Sequence, residues 1–326
     1  MIKISYSRAS SYLRCPYAHY LGYVRRLMLN KPVRPLMFGS NFHKLLEFRD
    51  KPEELAAELK RIEDEYYAMP ANWQTDLGEN FLDDLKQIFG DYNIVYGAEV
   101  KPDVTEQRFD IPIGKYKGEQ VMFTGVIDEL YFNYGADART VVGEHKTFSR
   151  RPDLNTLVMN TQKGLYAKAV EKLHGVRPSS IIWDYISSAP AEEPIWLDKS
   201  GRFSNAKSMK ITPMSYERAC KARGIEPDPE QMQFYKDNVN NFFFRYPLDL
   251  PPKMVDDIYD GFVYTAKMIA KYGDKNKVKN LTRDCSWCSY RDICYAELTG
   301  GDVEYTIEKN YTAKPEDTVE PAAEAE

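Results

Sequence analysis

No stretch of the sequence approaches the roughly 18 uninterrupted apolar residues that a membrane span requires. The opening MIKISYSRASSYLRCPY has no apolar core of the kind a secretory leader carries. Both absences lead us to expect a cytoplasmic protein, or one at work in a host cytoplasm if a phage encodes it. A GxxxxGK[ST] loop and a GxSxG elbow are missing too, so readings as an NTPase or a serine hydrolase have no anchor. Cysteine is scarce: five residues, an odd number, with three crowded near the C-terminus. In a reducing compartment that distribution suggests metal ligation, not a disulfide framework. The run PEDTVEPAAEAE contains no base and five acids, and reads as a disordered, solvating tail. It accounts for the net charge of −5, leaving the rest near neutral. Such a balance argues against broad coating of duplex DNA but is compatible with a local basic patch.

What is present is ample apolar material, 43% of residues, with 24 Tyr and 15 Phe to build a core. The pattern suggests a single domain over 1–310 and an acidic tail over 311–326. Within the domain, about 5–90 reads as helical, about 94–186 as a catalytic core, and about 187–300 as helical with the cysteines. Ser5 or Ser7 can cap a first helix that runs to Cys15–Pro16. NFHKLLEF, 52–67 and 76–89 read as further helices. Residues 94–113 and 119–132 alternate as strands, 141–148 reads as a short apolar strand ending in charged residues, 154–173 as a helix, and 181–186 as a strand. Helical stretches follow at 213–223, 228–243 and 251–272. Strands, helix and strand enclosed by helices make an α/β fold.

The chemistry sits in GVIDELYF and VVGEHKTF. If these runs pair as a hairpin, Glu144 and Lys146 share a face, His145 takes the other, and Asp128 lies across from the first two. Two converging carboxylates repel unless a cation separates them, and they suit the oxygen preference of Mg²⁺ or Mn²⁺. A lysine beside them can orient or help deprotonate a water that attacks a phosphodiester. Taken alone, E-x-K equally describes a solvated strand face with an ion pair.

In combination these runs resemble the G-x-I-D … (D/E)-x-K core of the RecB-like branch of the PD-(D/E)xK nucleases. That branch includes the AddB nuclease domain, the CRISPR-associated exonuclease and phage-encoded exonucleases. SYSRASSYLRCPYAHYL is similar to the family's N-terminal helix, FGSNFHKLLE to its G-x-x-x-H-x-x-L-E helix, and NTQKGLYAKAV to its Q-x-x-x-Y helix. The resemblance covers about residues 4–300 and implies a restriction-endonuclease-like mixed sheet flanked by helices. It implies that His43, Asp128 and Glu144 bind Mg²⁺ or Mn²⁺, with the carbonyl of His145 as an extra ligand. Lys146 becomes the catalytic lysine, and Gln162 and Tyr166 touch the substrate strand or order the site. Read without the family, His43 is an ordinary helix histidine beside Glu47 sooner than a metal ligand.

Cys285, Cys288 and Cys294 form a C-x₂-C-x₅-C run, with Cys15 far upstream. A zinc site usually brings two C-x-x-C knuckles, and only one is present. The same resemblance implies that these four cysteines hold a 4Fe–4S cluster joining the N- and C-terminal segments. Cys220 is left as a spectator. Arg245, beside three phenylalanines in NNFFFRYP, is a candidate contact for a single strand, although FFF equally suits a core. The whole points to DNA as partner, single-stranded or with free ends, cut by an exonuclease in recombination, repair or phage DNA metabolism. An endonuclease would use the same residues, and a noncatalytic iron–sulfur scaffold is the rival of another class. The chain carries no helicase motor, so strand opening would come from a helicase or recombination partner.

Overall fold

Ile2–Ile4 forms a short strand (β1), after which Ser5 caps a helix over Tyr6–Arg14 (α1) by accepting the Arg8 N–H. The computed structural model describes residues 1–206 and 209–314. Helices follow at Arg34–Glu47 (α2) and Phe81–Tyr96 (α3), each burying an aromatic stripe: Phe38 and Phe42 in one, Phe81, Phe89 and Tyr92 in the other. Three antiparallel strands come next: Val104–Tyr116 (β2), Glu119–Tyr134 (β3) and Arg139–Phe148 (β4). A helix at Gln162–His174 (α4) crosses over to Ser180–Ser187 (β5), which pairs with β4 in parallel. Phe243–Asp249 (β6) closes the sheet antiparallel to β5, and Pro252–Tyr272 (α5) packs back across it.

The six strands make one mixed sheet in the order β1-β3-β4-β5-β6, with β2 on the other edge of β3. Apolar cores cover both faces. Leu165, Tyr166, Val170 and Phe262 from α4 and α5 lie on one; Phe38, Phe42, Ile88 and Tyr92 from α2 and α3 lie on the other. Double coverage explains why β5, SIIWDYIS, is apolar almost throughout.

Strand β3 has an unusual division of labour. One edge pairs with β2 along its length. The other pairs with β1 at Val121–Phe123 and with β4 only from Glu129 onward. Between these partners, Thr124–Asp128 has no neighbour on that edge. The sheet therefore opens into a notch.

The sequence reading differs from the structure in five places. Residues 94–96 complete α3 instead of starting a strand, because Tyr96 packs on Tyr92 and Phe243. The expected helix over 76–89 is broken at Gly78, whose φ of 95° no continuing helix accepts. The helix expected over 154–173 splits into Leu154–Met159 and α4, with Asp153 capping the first piece. Helix 228–243 ends at Asp237, and the following phenylalanines become strand β6, whose Phe243 and Phe244 insert into opposite cores. Tyr311–Ala313, placed by the sequence in the tail, pair with Leu27–Leu29. The remaining tail residues, 315–326, lie outside the described residues. No helix among those described is long and apolar enough to cross a membrane.

Candidate functional site

The notch collects the charged groups. Asp128 stands at the last unpaired position of β3, buried, and its Oδ2 accepts the His145 N–H at 2.9 Å. Glu144 and Lys146 share one face of β4, as the two-residue period requires, and their charged ends meet at 3.0 Å. Gln162, at the start of α4, donates from Nε2 to Glu144 Oε1 at 2.7 Å. From α2, His43 brings Nδ1 to 3.6 Å from Asp128 Oδ2. The helix can sit this close because Gly39 faces Thr147, where a Cβ would meet Oγ1 at 2.8 Å. Tyr166 is buried one turn along α4 from Gln162 and lines the same cleft.

A residue the sequence reading passed over completes the arrangement. Glu106 lies opposite Asp128 in the β2–β3 register, and its Oε1 comes within 3.9 Å of His43 Nδ1. One ligand atom from each of His43, Glu106 and Asp128 falls within 4.8 Å of the others. Like charges directly across two strands are unfavourable. Glu106 also has a φ of +48°, a left-handed conformation that is strained for a glutamate. The available signal was the register: any strand pairing that faces 105 with 129 faces 106 with 128.

The electrostatics describe a centre that lacks positive charge. Burial pushes the carboxyls of Asp128 and Glu144 up, and Asp128 adds repulsion to Glu144, carrying it to about 7; Lys146 and His43 offset part of this. Burial opposes the charge on Lys146, but Glu144 and Asp128 outweigh it and hold the amine protonated. His43 is likewise held up by Asp128 and Glu106 against its burial. Glu144 Oε2 is buried with no hydrogen-bond partner. Converging carboxylates, one orphaned oxygen and a histidine nitrogen fit a hard divalent cation.

The side chain of His145 lies edge-on to the His43 ring at 5.9 Å and within 3.2 Å of Glu129 and 3.3 Å of Asp184. Gly143 precedes this network because a Cβ there would meet Glu129 Oε2 at 2.8 Å. Arg245 belongs to the same network, not to the cleft. It pairs with Asp184 and Glu99, takes a place over the Tyr96 ring, and donates to the Tyr92 hydroxyl.

Cys15, Cys285, Cys288 and Cys294 line one cavity, walled by Tyr17, Tyr290 and Arg14. Burial raises the Cys288 and Cys294 thiols, and charge on the neighbouring thiols raises them further. Cys220 is buried elsewhere, among Phe203, Tyr216 and Tyr235.

The sequence profile of the PD-(D/E)XK nuclease superfamily matches residues 3–295. A solved structure titled "Crystal structure of SSO0001" aligns over 91% of this chain and 87% of its own, at 14% identity and a TM-score of 0.34. No curated protein matches the sequence.

Proposed function

The chain belongs to the PD-(D/E)XK nuclease superfamily, and from that premise we propose that it is a divalent-metal-dependent exonuclease acting on single-stranded or frayed DNA ends. The observation that carries this reading is the convergence of His43, Glu106, Asp128, Glu144 and Lys146 on one notch. His43, Glu106, Asp128 and Glu144 would hold Mg²⁺ or Mn²⁺, with the His145 carbonyl as a further ligand. When bound, the cation supplies Lewis-acid stabilisation of the charge that develops on the phosphoryl oxygens. Lys146 holds a proton on Nζ and orients the attacking water from its place against Glu144. Gln162 fixes the Glu144 carboxylate so that one oxygen stays directed inward. Tyr166 excludes water from the floor of the cleft.

A second, structural group belongs to the same proposal. Cys15, Cys285, Cys288 and Cys294, which line one cavity, would hold a 4Fe–4S cluster. It would tie the first helix to the C-terminal segment.

The test compares wild type with Lys146→Ala on end-labelled linear single strands, duplexes and circles, with EDTA, Mg²⁺ or Mn²⁺. Metal-dependent release of label from linear single strands is expected, with circles spared. Lys146→Ala should lose at least about a hundredfold in rate. Cutting of circles would make it an endonuclease. Binding without cleavage under every metal would leave only a scaffold.

A further inference from the structure

Tyr6 and Ser7, at the start of α1, roof the cleft that holds His43, Glu106 and Asp128. Beneath them the proposed metal ligands stand on two strands that diverge. The ladder between β3 and β4 reaches Glu129 and Gly143 and goes no further towards the notch. Asp128 is the next residue on one arm of this fork, and Glu144 is the next on the other. The width of the fork therefore sets how far apart the two carboxylates stand, and no main-chain ladder fixes that width. The His145 N–H, which a continuing ladder would use, goes to Asp128 Oδ2 instead.

What spans the fork is the side chain of His145. Alternation along β4 sets it on the opposite face from Glu144 and Lys146. There its Nε2 lies 3.2 Å from Glu129 Oε1 on β3, and its Nδ1 lies 3.3 Å from Asp184 Oδ2 on β5. Asp184 is also its register partner. The ring thus meets a carboxylate from each neighbouring strand at the point where β3 and β4 part. It lies edge-on to the His43 ring as well, so its placement bears on that ligand too. Both carboxylates are held in turn: Glu129 by the Tyr131 hydroxyl at 2.8 Å, Asp184 by Arg245 at 3.2 Å and by the Tyr92 hydroxyl. Gly143 makes room for the arrangement, since a Cβ there would collide with Glu129 Oε2. His145 and Asp184 are each 3% exposed. Well-packed apolar side chains of similar volume would serve stability as well or better, so stability alone does not account for this trio.

We propose that the His145 side chain is a positioning residue, a brace between Glu129 and Asp184 that fixes the gap between Asp128 and Glu144 and so fits the centre to a small cation. The inference rests on the metal centre of the nuclease reading and adds to it the source of cation selectivity. Mg²⁺ binds oxygens at about 2.0–2.1 Å in a near-octahedral shell, whereas Ca²⁺ accepts about 2.3–2.6 Å and irregular geometry. Loosening the brace therefore penalises the small cation more than the large one.

The test titrates the full-length protein with Mn²⁺, the octahedral stand-in for Mg²⁺, followed by electron paramagnetic resonance, and with Ca²⁺ by displacement of Mn²⁺. His145→Leu removes the brace but keeps an apolar side chain in its place. Its Mn²⁺ affinity should fall about ten- to a hundredfold, and its Ca²⁺ affinity less than about threefold. His145→Gln, whose amide still reaches one carboxylate, should recover part of the Mn²⁺ loss. Glu129→Gln alters the brace from β3 and should shift the ratio of the two affinities the same way; it carries the test if His145→Leu does not fold. Unchanged Mn²⁺ affinity, equal losses for both cations, or no saturable Mn²⁺ binding to wild type overturns the proposal. Cleavage of a linear single strand with Mn²⁺ is measured on the same wild-type preparation. Cleavage by wild type with an unshifted ratio in the variants rejects the brace and leaves the nuclease standing. A shifted ratio without cleavage by wild type supports the brace and rejects the nuclease.

Discussion

Glu106 carries two unfavourable features at once, a like charge across the strand from Asp128 and a left-handed backbone. A cation between the carboxylates would offset the first. We therefore expect Glu106→Gln to weaken Mn²⁺ binding by at least about tenfold, the scale on which even outer partners of a metal act. The metal-free variant should be as stable as wild type or more so, by up to about 1 kcal/mol. Mn²⁺ titration followed by electron paramagnetic resonance, beside thermal melts in EDTA, reads both; unchanged affinity would remove Glu106 from the centre. Proton competition gives a further expectation. The Glu144 carboxyl is held at about 7 in the metal-free fold, so it is protonated below that pH and must release a proton to ligate. Apparent Mn²⁺ affinity should fall as pH drops from 8 to 6, and Glu144→Gln should flatten that slope. How legible these residues were depended on distance along the chain. Glu144 and Lys146 could be read because alternation within a single strand places both. Glu106 could not, since its relevance depends on a pairing register that the sequence leaves open. Arg245 looked like a substrate contact beside its phenylalanines, but its partners Asp184 and Glu99 come from segments remote in sequence.

At the scale of elements, the reading succeeded where a pattern was local and failed where tertiary contacts chose between patterns. Strands β3, β4 and β5 came within a few residues, because each is a short run rich in β-branched and aromatic residues between turn signals. Strand β6 was missed: FFFRYP has no alternation, since Phe243 and Phe244 serve cores on opposite faces of the sheet. The last turn of α3 was taken for strand because IVY favours both states, and the aromatic contacts of Tyr96 decide it. The same helix contains a testable flaw. Asp91 is buried and accepts the Met214 N–H at 2.8 Å, with Thr212 and Gln87 beside the carboxylate. Burial lifts its carboxyl to about 6. The folded value is above the unfolded one of about 4, so the stability linked to the proton is full below pH 4 and lost as pH rises through 6. Asp91→Asn should therefore stabilise the protein at pH 8 by up to about 3 kcal/mol and change little at pH 4. Urea midpoints at the two pH values check this, and a gain of equal size at both would assign the effect to packing.

Over the whole molecule, the C-terminal segment holds the N-terminal one in place. Asn280 donates to the Arg14 carbonyl, Asn276 to the Tyr12 hydroxyl, and the Tyr17 N–H to the Val278 carbonyl, while 311–313 pair with 27–29. The cysteine cavity lies in the middle of this clamp. A cross-link closing a loop of about 270 residues removes on the order of 5 kcal/mol of unfolded-chain entropy. If Cys285 is one of the proposed cluster ligands, Cys285→Ser should yield protein with less iron, lower solubility and a markedly lower melting temperature. A colourless wild type with stoichiometric zinc would reject the cluster and leave the notch untouched. The division of β3 between β1 and β4 also gives this protein a timetable. Residues 2–4 leave the ribosome well before their partners, 121–123, and before the segments that hold α1 beyond them, 276–298. At about 5–20 residues per second, the roof of the cleft must wait on the order of 15–60 s for its last supports. Through that interval the nascent chain has the carboxylates but no finished cleft. Nascent chains stalled before Asn276 should leave Tyr6–Arg14 open to proteolysis, and chains extended past 298 should close it. A metal centre assembled in this order would lack its roof until residues 276–298 have been made.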